Sequence, residues 1–450
     1  MNPKLQKILD NEFHRQNSTL DLIASENFTS TSVRNAVGSV VMHKYSEGYA
    51  GARYYEGNQY IDELEELCIE MVKKVFSLPQ DWSANVQPLS GSNANLGVYN
   101  ALLTPGDTIL SMYLPDGGHL SHGWSYTSTK ERSESEKGEL QNDTEYLGGK
   151  TNISIVSKIF NVVQYKVSKE TNQFDYDQLE EIALRVRPKL IVTGGTAYPR
   201  NIDYKRFREI ADKVGAYYLA DVAHEAGLIA SKVLPSPVGY ADVVTFTTHK
   251  TLRGPKGAII LMRKELENAI NKGIMPGLQG GPHNGTIAGI TQALFEADTV
   301  EFKEYSKQIV QNANKLANEL INRGFRLITD GTDKHLILID LRSKNIGGKY
   351  LAKALSVANI IVNMNTIPFE TGSPLNPSGI RIGTPTLTTR GMKESEMVLI
   401  ADLLKRVLEI SLKYKDLDIN EFIDKIKIDL EIKKVQDEVQ KLCIDFPLTL

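Results

Sequence analysis

The residue that first suggests chemistry is a lysine placed directly after an apolar, β-rich run. Lys250 follows VVTFTTH and precedes the turn-forming stretch TLRGPKG. Ligands of open α/β sheets bind at the carboxyl ends of strands. A lysine that is desolvated at such a place can form a Schiff base with a carbonyl compound. The pattern by itself has low specificity, because most lysines that follow a strand are solvated surface groups.

A second candidate is the aspartate that ends another apolar run upstream. Asp221 closes AYYLAD, where it can serve as a helix N-cap or as a partner for a protonated ring nitrogen. Pyridoxal 5′-phosphate (PLP) needs such a carboxylate, because the ion pair keeps the pyridine protonated and able to accept electrons. His224, three residues later, is a candidate for the cofactor's phenolic oxygen or a structural histidine.

Two glycine-containing segments supply further groups that a PLP site requires. Ser90, Gly91 and Ser92 precede a helical pattern, and backbone N–H groups at a helix N-terminus bind phosphate. In PDGGHLSHGW (115–124), His119 is placed to stack on an aromatic ring. The two histidines of this segment are a weak metal pattern without a carboxylate at ligand spacing, so we expect no metal.

The bulk properties are those of an ordinary globular enzyme. The chain has 450 residues, 41% of them hydrophobic and 24% charged, and a net charge of −3, which argues against nucleic acid as a partner. Its two cysteines, Cys68 and Cys443, form neither a disulfide framework nor a metal motif. No signal peptide and no long apolar run is recognisable, so we expect a cytoplasmic protein without a membrane partner.

Short apolar runs alternate with amphipathic stretches from about residue 83 to 262, and this alternation predicts an α/β domain with a largely parallel, covered sheet. We expect an N-terminal helical arm over 1–43, a large domain over 44–293 and a smaller α+β domain over 294–450, with HLILIDL (335–341) as a strand. The polar segment 127–152 is expected to be a surface insertion.

Together these segments identify a family. The chain resembles serine hydroxymethyltransferases along nearly its whole length, in the stretches LIASENF (22–28), HKYSEGYAGARYYEG (43–57), NVQPLSGSNAN (85–95), GGHLSHG (117–123), DVAHEAGLIA (221–230), TTHKTLRGPKG (247–257), GLQGGPH (277–283), DGTDKHLILIDL (330–341) and SGIRIGTP (378–385). The resemblance implies the PLP-dependent aminotransferase-like fold type I, with a mostly parallel, seven-stranded sheet in the large domain. It also implies a homodimer with shared active sites.

The resemblance implies a role for each matching position. The residues implied to hold PLP are Ser90, Gly91, Ser92, His119, Thr196, Asp221, His224, His249 and Lys250, with Tyr45, Tyr55, Gly280 and Gly281 reaching the neighbouring subunit's site. Those implied to be catalytic are Lys250, Glu47, His119, Asp221, His249 and Thr247. Those implied to contact the amino-acid substrate are Ser25, Glu47, Tyr55 and Arg381. Those implied to contact tetrahydrofolate are Glu47, Tyr54, Leu114, Gly118, His119, Leu120, Asn365, Ser373, Pro374 and Leu375.

The implied reaction is the reversible conversion of L-serine and tetrahydrofolate into glycine and 5,10-methylenetetrahydrofolate. Formaldehyde release and direct displacement by a folate nitrogen, with Glu47 as the acid, are equally compatible with these residues. An α-methylserine hydroxymethyltransferase, a threonine-type aldolase and a catalytically inactive binding protein are the alternatives. The chain departs from the family's usual residues in the insertion and at Thr196, Gly285, Lys334 and Met364.

Overall fold

The computed structural model describes residues 1–126, 144–149 and 151–448 of the chain. The chain divides into two compact units, which we name the terminal unit (Met1–Phe28 with Lys307–Leu450) and the central unit (Thr29–Ser306). These divisions differ from the expected boundaries after residues 43 and 293. The reason is that the N-terminal arm is not one element: its first part shares a hydrophobic core with the C-terminal residues.

The helices and strands alternate as the sequence pattern predicts. The α-helices are α1 Pro3–Ser18, α2 Thr31–Val37, α3 Gln59–Phe76, α4 Gly91–Leu102, α5 Ile155–Ile159, α6 Tyr176–Val186, α7 Tyr204–Val214, α8 Ala226–Ala230, α9 Glu267–Ile274, α10 Asn284–Ala297, α11 Val300–Asn322, α12 Gly348–Val357, α13 Pro385–Thr389, α14 Glu394–Lys413, α15 Ile419–Ile428 and α16 Leu430–Asp445. The strands are β1 Leu20–Asp21, β2 Gly48–Tyr49, β3 Ala52–Arg53, β4 Trp82–Asn85, β5 Thr108–Met112, β6 Ser125–Tyr126, β7 Glu145–Tyr146, β8 Thr151–Asn152, β9 Asn161–Tyr165, β10 Leu190–Thr193, β11 Tyr217–Asp221, β12 Val243–Thr247, β13 Ala258–Arg263, β14 Arg326–Leu327, β15 Leu336–Asp340, β16 Ile360–Ile361, β17 Asn363–Asn365 and β18 Gly379–Gly383.

A mixed sheet of eight strands forms the middle of the central unit, in the order β4-β13-β12-β11-β10-β5-β9-β7. The five strands β12, β11, β10, β5 and β9 are parallel to one another. The β12–β13, β13–β4 and β7–β9 pairs are antiparallel. The prediction of an α/β sheet is confirmed, but the described residues contain one strand more than the seven expected.

The strands of this sheet are apolar because both faces are covered. β10 and β12 are buried at every position, which is typical of parallel strands between two helical layers. The helices begin and end where the sequence supplies caps. The Asp203 side chain accepts from the N–H of Arg206 at the start of α7, and Gly215 ends that helix at φ 68°. The helix-capping residues and the apolar runs therefore determine where in the sequence each helix and strand begins and ends.

The segment 127–152 lies partly outside the described residues, which omit 127–143 and 150. Within the described part, the expectation of a surface loop is wrong at Glu145 and Tyr146, which are buried and form the edge strand β7. The Tyr146 ring lies 5.1 Å from that of Tyr113 and 5.9 Å from that of Trp124. A two-residue strand in a polar stretch is too short to show periodicity, so no sequence pattern predicts it.

The terminal unit has the α+β composition that the sequence predicts. Its antiparallel sheet has the order β14-β15-β18-β17, and β15 is the strand expected in HLILIDL. A separate parallel pair joins β1 to β16, with Leu20 opposite Ile360. Leu20 and Leu22 are fully buried in the core formed by the C-terminal helices and strands. This burial explains why the N-terminal residues belong to this unit.

Among the described residues, no helix combines the length and the apolar composition needed to cross a membrane.

Candidate active site

The candidate residues of the central unit converge because of strand order. β5, β10, β11 and β12 are consecutive, parallel neighbours in the large sheet. The segments that follow them carry His119, Thr196, Asp221 and Lys250 in turn. Since parallel strands end at one edge, residues far apart in sequence meet there. The expected clustering of these positions is therefore a consequence of topology.

Asp221 is held by donors from three directions. Its Oδ1 accepts from the backbone N–H of Ala223 at 3.0 Å, and its Oδ2 accepts from His122 Nε2 and from Asn95 Nδ2, both at 2.9 Å. Burial by itself would raise the pKa of Asp221, but the hydrogen bond and charge of His122, with smaller contributions from His119 and Asn95, lower it below the ordinary range. The carboxylate is therefore ionised at neutral pH, and it retains capacity for a further cationic donor.

The loop after β5 fixes His119 beside this carboxylate. Ser121 contacts His119 Nδ1 through its hydroxyl at 2.7 Å and through its backbone N–H at 3.2 Å. His119, His122 and Asp221 place possible ligand atoms within 4.8 Å of one another. A direct hydrogen bond joins His122 to Asp221, so the hydrogen-bond network by itself explains this closeness without a metal.

The segment that the sequence analysis expects to bind phosphate lies at the start of helix α4. Ser90 is the N-cap, and its Oγ accepts from the N–H of Asn93. A Cβ built on Gly91 would lie 2.7 Å from Thr247 Cγ2, so a glycine is required for this close approach. The buried Nδ1 of His249 has no hydrogen-bond partner. Burial, with the nearby charges of Lys250 and Lys256, lowers the pKa of His249 to about 4. A phosphate is suited to this combination of a helix N-terminus and cationic neighbours.

Lys250 lies half-buried in a bend immediately after β12. Its backbone oxygen accepts from the N–H of Arg253, which closes the turn. Thr251 ties this turn to the loop after β11, because its hydroxyl donates to the backbone oxygen of His224 at 2.9 Å. Thr247 makes a similar contact to the oxygen of Ala223 at 3.3 Å. The lysine turn is therefore attached to the segment that carries Asp221 and His224.

Thr196 lies in the loop after β10, next to the loop that carries His119. Its backbone N–H donates to the oxygen of Gly117 at 2.7 Å. In the same loop Gly194 has a φ of +124°, and a Cβ there would lie 2.0 Å from the backbone oxygen of Asp221. Only glycine permits this contact between the two strand ends.

Glu47 and its tyrosines form a second cluster of the central unit, which we call the tyrosine loop (residues 45–55). The Tyr45 and Tyr55 rings meet edge to face at 5.5 Å. A Cβ on Gly280 would lie 3.0 Å from Glu47 Oε1, and one on Gly281 would lie 3.6 Å from the Tyr45 ring. The structure thus brings together the positions that the family resemblance assigns to a neighbouring subunit's site.

The folate positions of the central unit lie on two segments. Leu114 begins a short 3-10 helix, Gly118 is buried, and Leu120 is 52% exposed. Tyr54, in the tyrosine loop, is also exposed. The three positions near His119 therefore share its loop, as the spacing predicts.

In the terminal unit, Arg381 lies on β18 with only 5% of its surface exposed. Its Nε donates to Asn363 Oδ1 at 3.2 Å and its Nη2 donates to Ser25 Oγ at 3.4 Å. Burial lowers the pKa of Arg381 to about 10, which still leaves it charged at neutral pH. A buried guanidinium that contacts uncharged groups is suited to bind a carboxylate.

The remaining folate positions also belong to the terminal unit. Asn365 ends β17, where its Nδ2 donates to the oxygen of Thr366. Ser373, Pro374 and Leu375 form an exposed turn, closed by a bridge from Ser373 to Asn376. Glu370 organises the loop by accepting from the N–H groups of Gly372 and Ser378.

Sequence reasoning missed the residues that support the site from behind. Asn95, Ser121 and His122 are buried, and each contacts Asp221 or His119. They lie within quoted family stretches, but asparagines and serines in loops are too common to be noticed as polar partners. Their role depends on burial, which only the structure shows.

The structure shows the surroundings of three residues at which the chain departs from the family pattern. Gly285 is needed where it is, because a Cβ there would lie 2.4 Å from the backbone oxygen of Val37. Lys334 is 2% exposed, which is unusual for a lysine. Met364 lies on β17 and is 40% exposed.

An α/β sheet whose strand ends carry a lysine and a buried aspartate close to a helix N-terminus is typical of the PLP-dependent enzymes of fold type I. The family model of serine hydroxymethyltransferases matches residues 1–147 and 135–404. A serine hydroxymethyltransferase of Desulfotalea psychrophila is 46% identical over 445 residues, covering 99% of this chain and 94% of that protein. The cytosolic enzyme of Saccharomyces cerevisiae is 47% identical over 91% of the chain and 86% of its own length. The enzyme of Acidothermus cellulolyticus is 47% identical over 90% and 88%. The chain belongs to the serine hydroxymethyltransferase family.

Proposed function

We propose that this protein interconverts L-serine and glycine, with tetrahydrofolate as the one-carbon acceptor and PLP as the cofactor. The observation that carries the proposal is the placement of Lys250 and Asp221 at the ends of adjacent strands in a chain of this family. The enzymes to which the chain is similar are named for this reaction.

The residues of the central unit fit PLP. Asp221 is ionised and can accept from a pyridine nitrogen, while the α4 N-terminus and His249 suit the phosphate. When bound, the cofactor supplies an electron sink for the bond that breaks at the substrate's α-carbon. Lys250 anchors it covalently, and the carboxylate of Asp221 keeps its ring protonated. His119 would stack on the ring, and Thr196 and His224 would contact its phenolic oxygen. Thr247 packs against the lysine.

Four residues are proposed to contact the amino-acid substrate. Arg381 pairs with the substrate carboxylate, and Ser25, which contacts the same guanidinium, adds a hydroxyl. Tyr55 and Glu47 act from the tyrosine loop. A carboxyl at Glu47 can give a proton to, or take one from, the substrate hydroxyl. It fits both open routes, release of formaldehyde and direct displacement by folate.

Tetrahydrofolate is held by apolar and polar groups together. Leu114, Gly118 and Leu120 offer a surface beside the His119 loop, and Tyr54 and Glu47 add polar contacts. In the terminal unit, Asn365 and the exposed turn Ser373–Leu375 supply the remaining contacts. An exposed turn organised by Glu370 can adapt to a bulky ligand without disturbing β18.

The test of the reaction is a turnover assay of the PLP-loaded protein with L-serine, with and without tetrahydrofolate. We expect a visible cofactor absorption band that borohydride abolishes and that the Lys250→Ala variant lacks. We also expect serine cleavage to require folate. Cleavage indifferent to folate would favour the aldolase alternative, and preferred turnover of α-methylserine would favour that variant. Absence of the band in the wild-type protein would contradict PLP binding.

The role of Arg381 has a matched control in the same unit. Arg381→Lys is expected to raise the KM for serine by roughly 10- to 150-fold, because one buried charge-assisted hydrogen bond contributes about 1.5–3 kcal/mol. The kcat should change less. Arg390 is equally buried and donates to the backbone oxygen of Phe446. Arg390→Lys should lower the melting temperature without the KM change. Equal KM values for the two variants would exclude a carboxylate-binding role for Arg381.

We further propose a homodimer in which the tyrosine loop and the Gly280–Gly281 segment complete the partner's site. Lys250→Ala and Tyr55→Ala chains, inactive separately, should complement each other when unfolded and refolded together. Random pairing of two-fold symmetric chains restores about a quarter of the wild-type activity, since half the dimers are mixed and each has one intact site. Complementation would fail if each chain built its site alone.

A further inference from the structure

Asn95 is a buried residue of α4 to which the proposed reaction assigns no role. Its side chain is 1% exposed. Its Nδ2 donates to Asp221 Oδ2 at 2.9 Å and to Ser121 Oγ at 2.8 Å, and its Oδ1 accepts from Thr245 Oγ1 at 2.6 Å. One amide therefore connects the middle of β12, the carboxylate at the end of β11 and the loop that carries His119.

The chemistry of these partners leaves the Asn95 amide one orientation. An ionised carboxylate is only an acceptor, and the low pKa of Asp221 keeps it ionised. The NH₂ group of Asn95 must therefore face Asp221, and its oxygen must face the Thr245 hydroxyl. The second N–H of the same amide then points at Ser121, whose hydroxyl oxygen accepts it.

This orientation determines where the hydroxyl proton of Ser121 goes. A serine hydroxyl has one proton to give, and the Asn95 contact uses only a lone pair. The proton is left for His119 Nδ1, 2.7 Å away. The backbone N–H of Ser121 points at the same nitrogen from 3.2 Å. Two donors directed at Nδ1 are incompatible with a proton on that atom.

We propose that Asn95 and Ser121 are positioning residues that hold His119 in the neutral tautomer with its proton on Nε2. The proposal deepens the PLP assignment above and depends on it for its catalytic consequence only. A neutral imidazole can stack on a protonated pyridine without charge repulsion, whereas an imidazolium at stacking distance would oppose the ring charge that Asp221 maintains. The same asparagine thus fixes both the carboxylate and the stacking ring.

The direct test is ¹⁵N NMR of protein with ¹⁵N-labelled histidine, loaded with PLP and also free of it, and without substrate. His119→Gln identifies the His119 signals. We expect Nδ1 of the wild-type protein to resonate as an unprotonated nitrogen and Nε2 as a protonated one. Ser121→Ala and Asn95→Leu should shift the population towards a mixture of tautomers, while Ser121→Thr, which keeps the hydroxyl, should retain the wild-type signals.

Ser111 provides the matched control. It is a fully buried serine on β5 whose hydroxyl donates to the backbone oxygen of His122 at 2.9 Å. Ser111→Ala removes a buried hydroxyl of the same kind but should leave the His119 signals unchanged. A protonated Nδ1 in the wild-type protein, or unchanged signals in folded Ser121→Ala, would overturn the proposal.

Steady-state kinetics give a second test, because a positioning role and a purely structural role predict different changes in kcat and KM. Ser121→Ala should lower kcat for serine by roughly three- to tenfold, the size expected for one buried neutral hydrogen bond, with a smaller change in KM. Ser121→Thr should restore kcat. Loss of kcat in Ser111→Ala equal to that in Ser121→Ala would also contradict the positioning role. If serine turnover itself were absent, the NMR result would still decide the tautomer, so the two proposals fail separately.

Discussion

Two clusters of side chains in the central unit differ in how far they are buried within this chain. Around Asp221, the side chains of Asn95, Ser121 and His122 are buried, and each makes a hydrogen bond to another of them or to the carboxylate. In the tyrosine loop the rings point outward instead. Tyr45 is 62% exposed, Tyr54 71% and Tyr55 46%.

The difference indicates two kinds of organisation. The Asp221 cluster is preorganised by its own sheet, so it can bind and tune a cofactor without rearrangement. Contiguous exposed aromatic side chains are typical of surfaces that contact another molecule. The tyrosine loop therefore fits the proposed role of completing a partner's site, and substitutions in the two clusters should have different consequences.

The largest effect is expected at Asp221. Asp221→Asn removes the negative charge that keeps the cofactor ring protonated and should lower kcat by roughly 10- to 150-fold, since a buried hydrogen bond to a charged group contributes about 1.5–3 kcal/mol. The matched control is Asp242→Asn. Asp242 precedes β12 at the opposite end of the strand and pairs with Arg208 and Arg263. That variant should lower the melting temperature while the cofactor spectrum stays unchanged. If Asp242→Asn changed the cofactor spectrum as much as Asp221→Asn does, the assignment of Asp221 to the cofactor ring would be contradicted.

Tyr55 tests the exposed cluster. Tyr55→Ala should leave the fold of the single chain and its melting at low concentration little changed, but weaken self-association about thirtyfold, because truncating an aromatic interface residue costs about 2 kcal/mol. Sedimentation equilibrium measures this. Tyr60, 70% exposed at the start of α3, is the control, and Tyr60→Ala should weaken association less. Equal effects would mean that exposure alone, not the tyrosine loop, governs association.

Gly91 tests the close packing of the preorganised cluster. Gly91→Ala would place a Cβ 2.7 Å from Thr247 Cγ2, and such overpacking costs about 1–3 kcal/mol. We expect weaker PLP binding, measured by fluorescence titration. Thr247→Ser removes the methyl group and keeps the hydroxyl, so the double variant should recover affinity. Failure of this rescue would show that the collision is relieved in another way.

The smallest effect is the acid sensitivity contributed by His249. Its pKa is lowered to about 4 in the folded protein, below the ordinary value of about 6.5. Between these values the unfolded chain binds a proton that the folded chain excludes, so His249 makes stability fall as the pH falls from about 6.5 to 4. The free energy of unfolding, measured with urea across this pH range, should fall less steeply for His249→Asn than for the wild-type protein. Parallel curves for the two proteins would contradict the buried, neutral histidine.

The sequence predicted the alternation of strands and helices well because covered strands must be apolar and helices carry caps at their ends. It predicted the strand in 335–341 within a residue at each end. It did not predict β7, since two residues in a polar segment show no periodicity, nor the membership of Leu20 and Leu22 in the terminal unit. Long-range pairing such as Leu20 with Ile360 leaves no local trace in the sequence.

The sequence by itself determined the family and the candidate groups: the lysine, the aspartate, the arginine and the serines at the start of α4 have side chains whose possible chemistry follows from their types, and their motifs identify the family. The tertiary structure alone decided which of them meet and in what state. The order of parallel strands brings Asp221, Lys250 and His119 to one edge, and burial turns Asn95 and Ser121, ordinary polar residues in the sequence, into the groups that orient the site. Hydrogen-bond direction and desolvation depend on what surrounds an atom, and the chain creates those surroundings only when it folds.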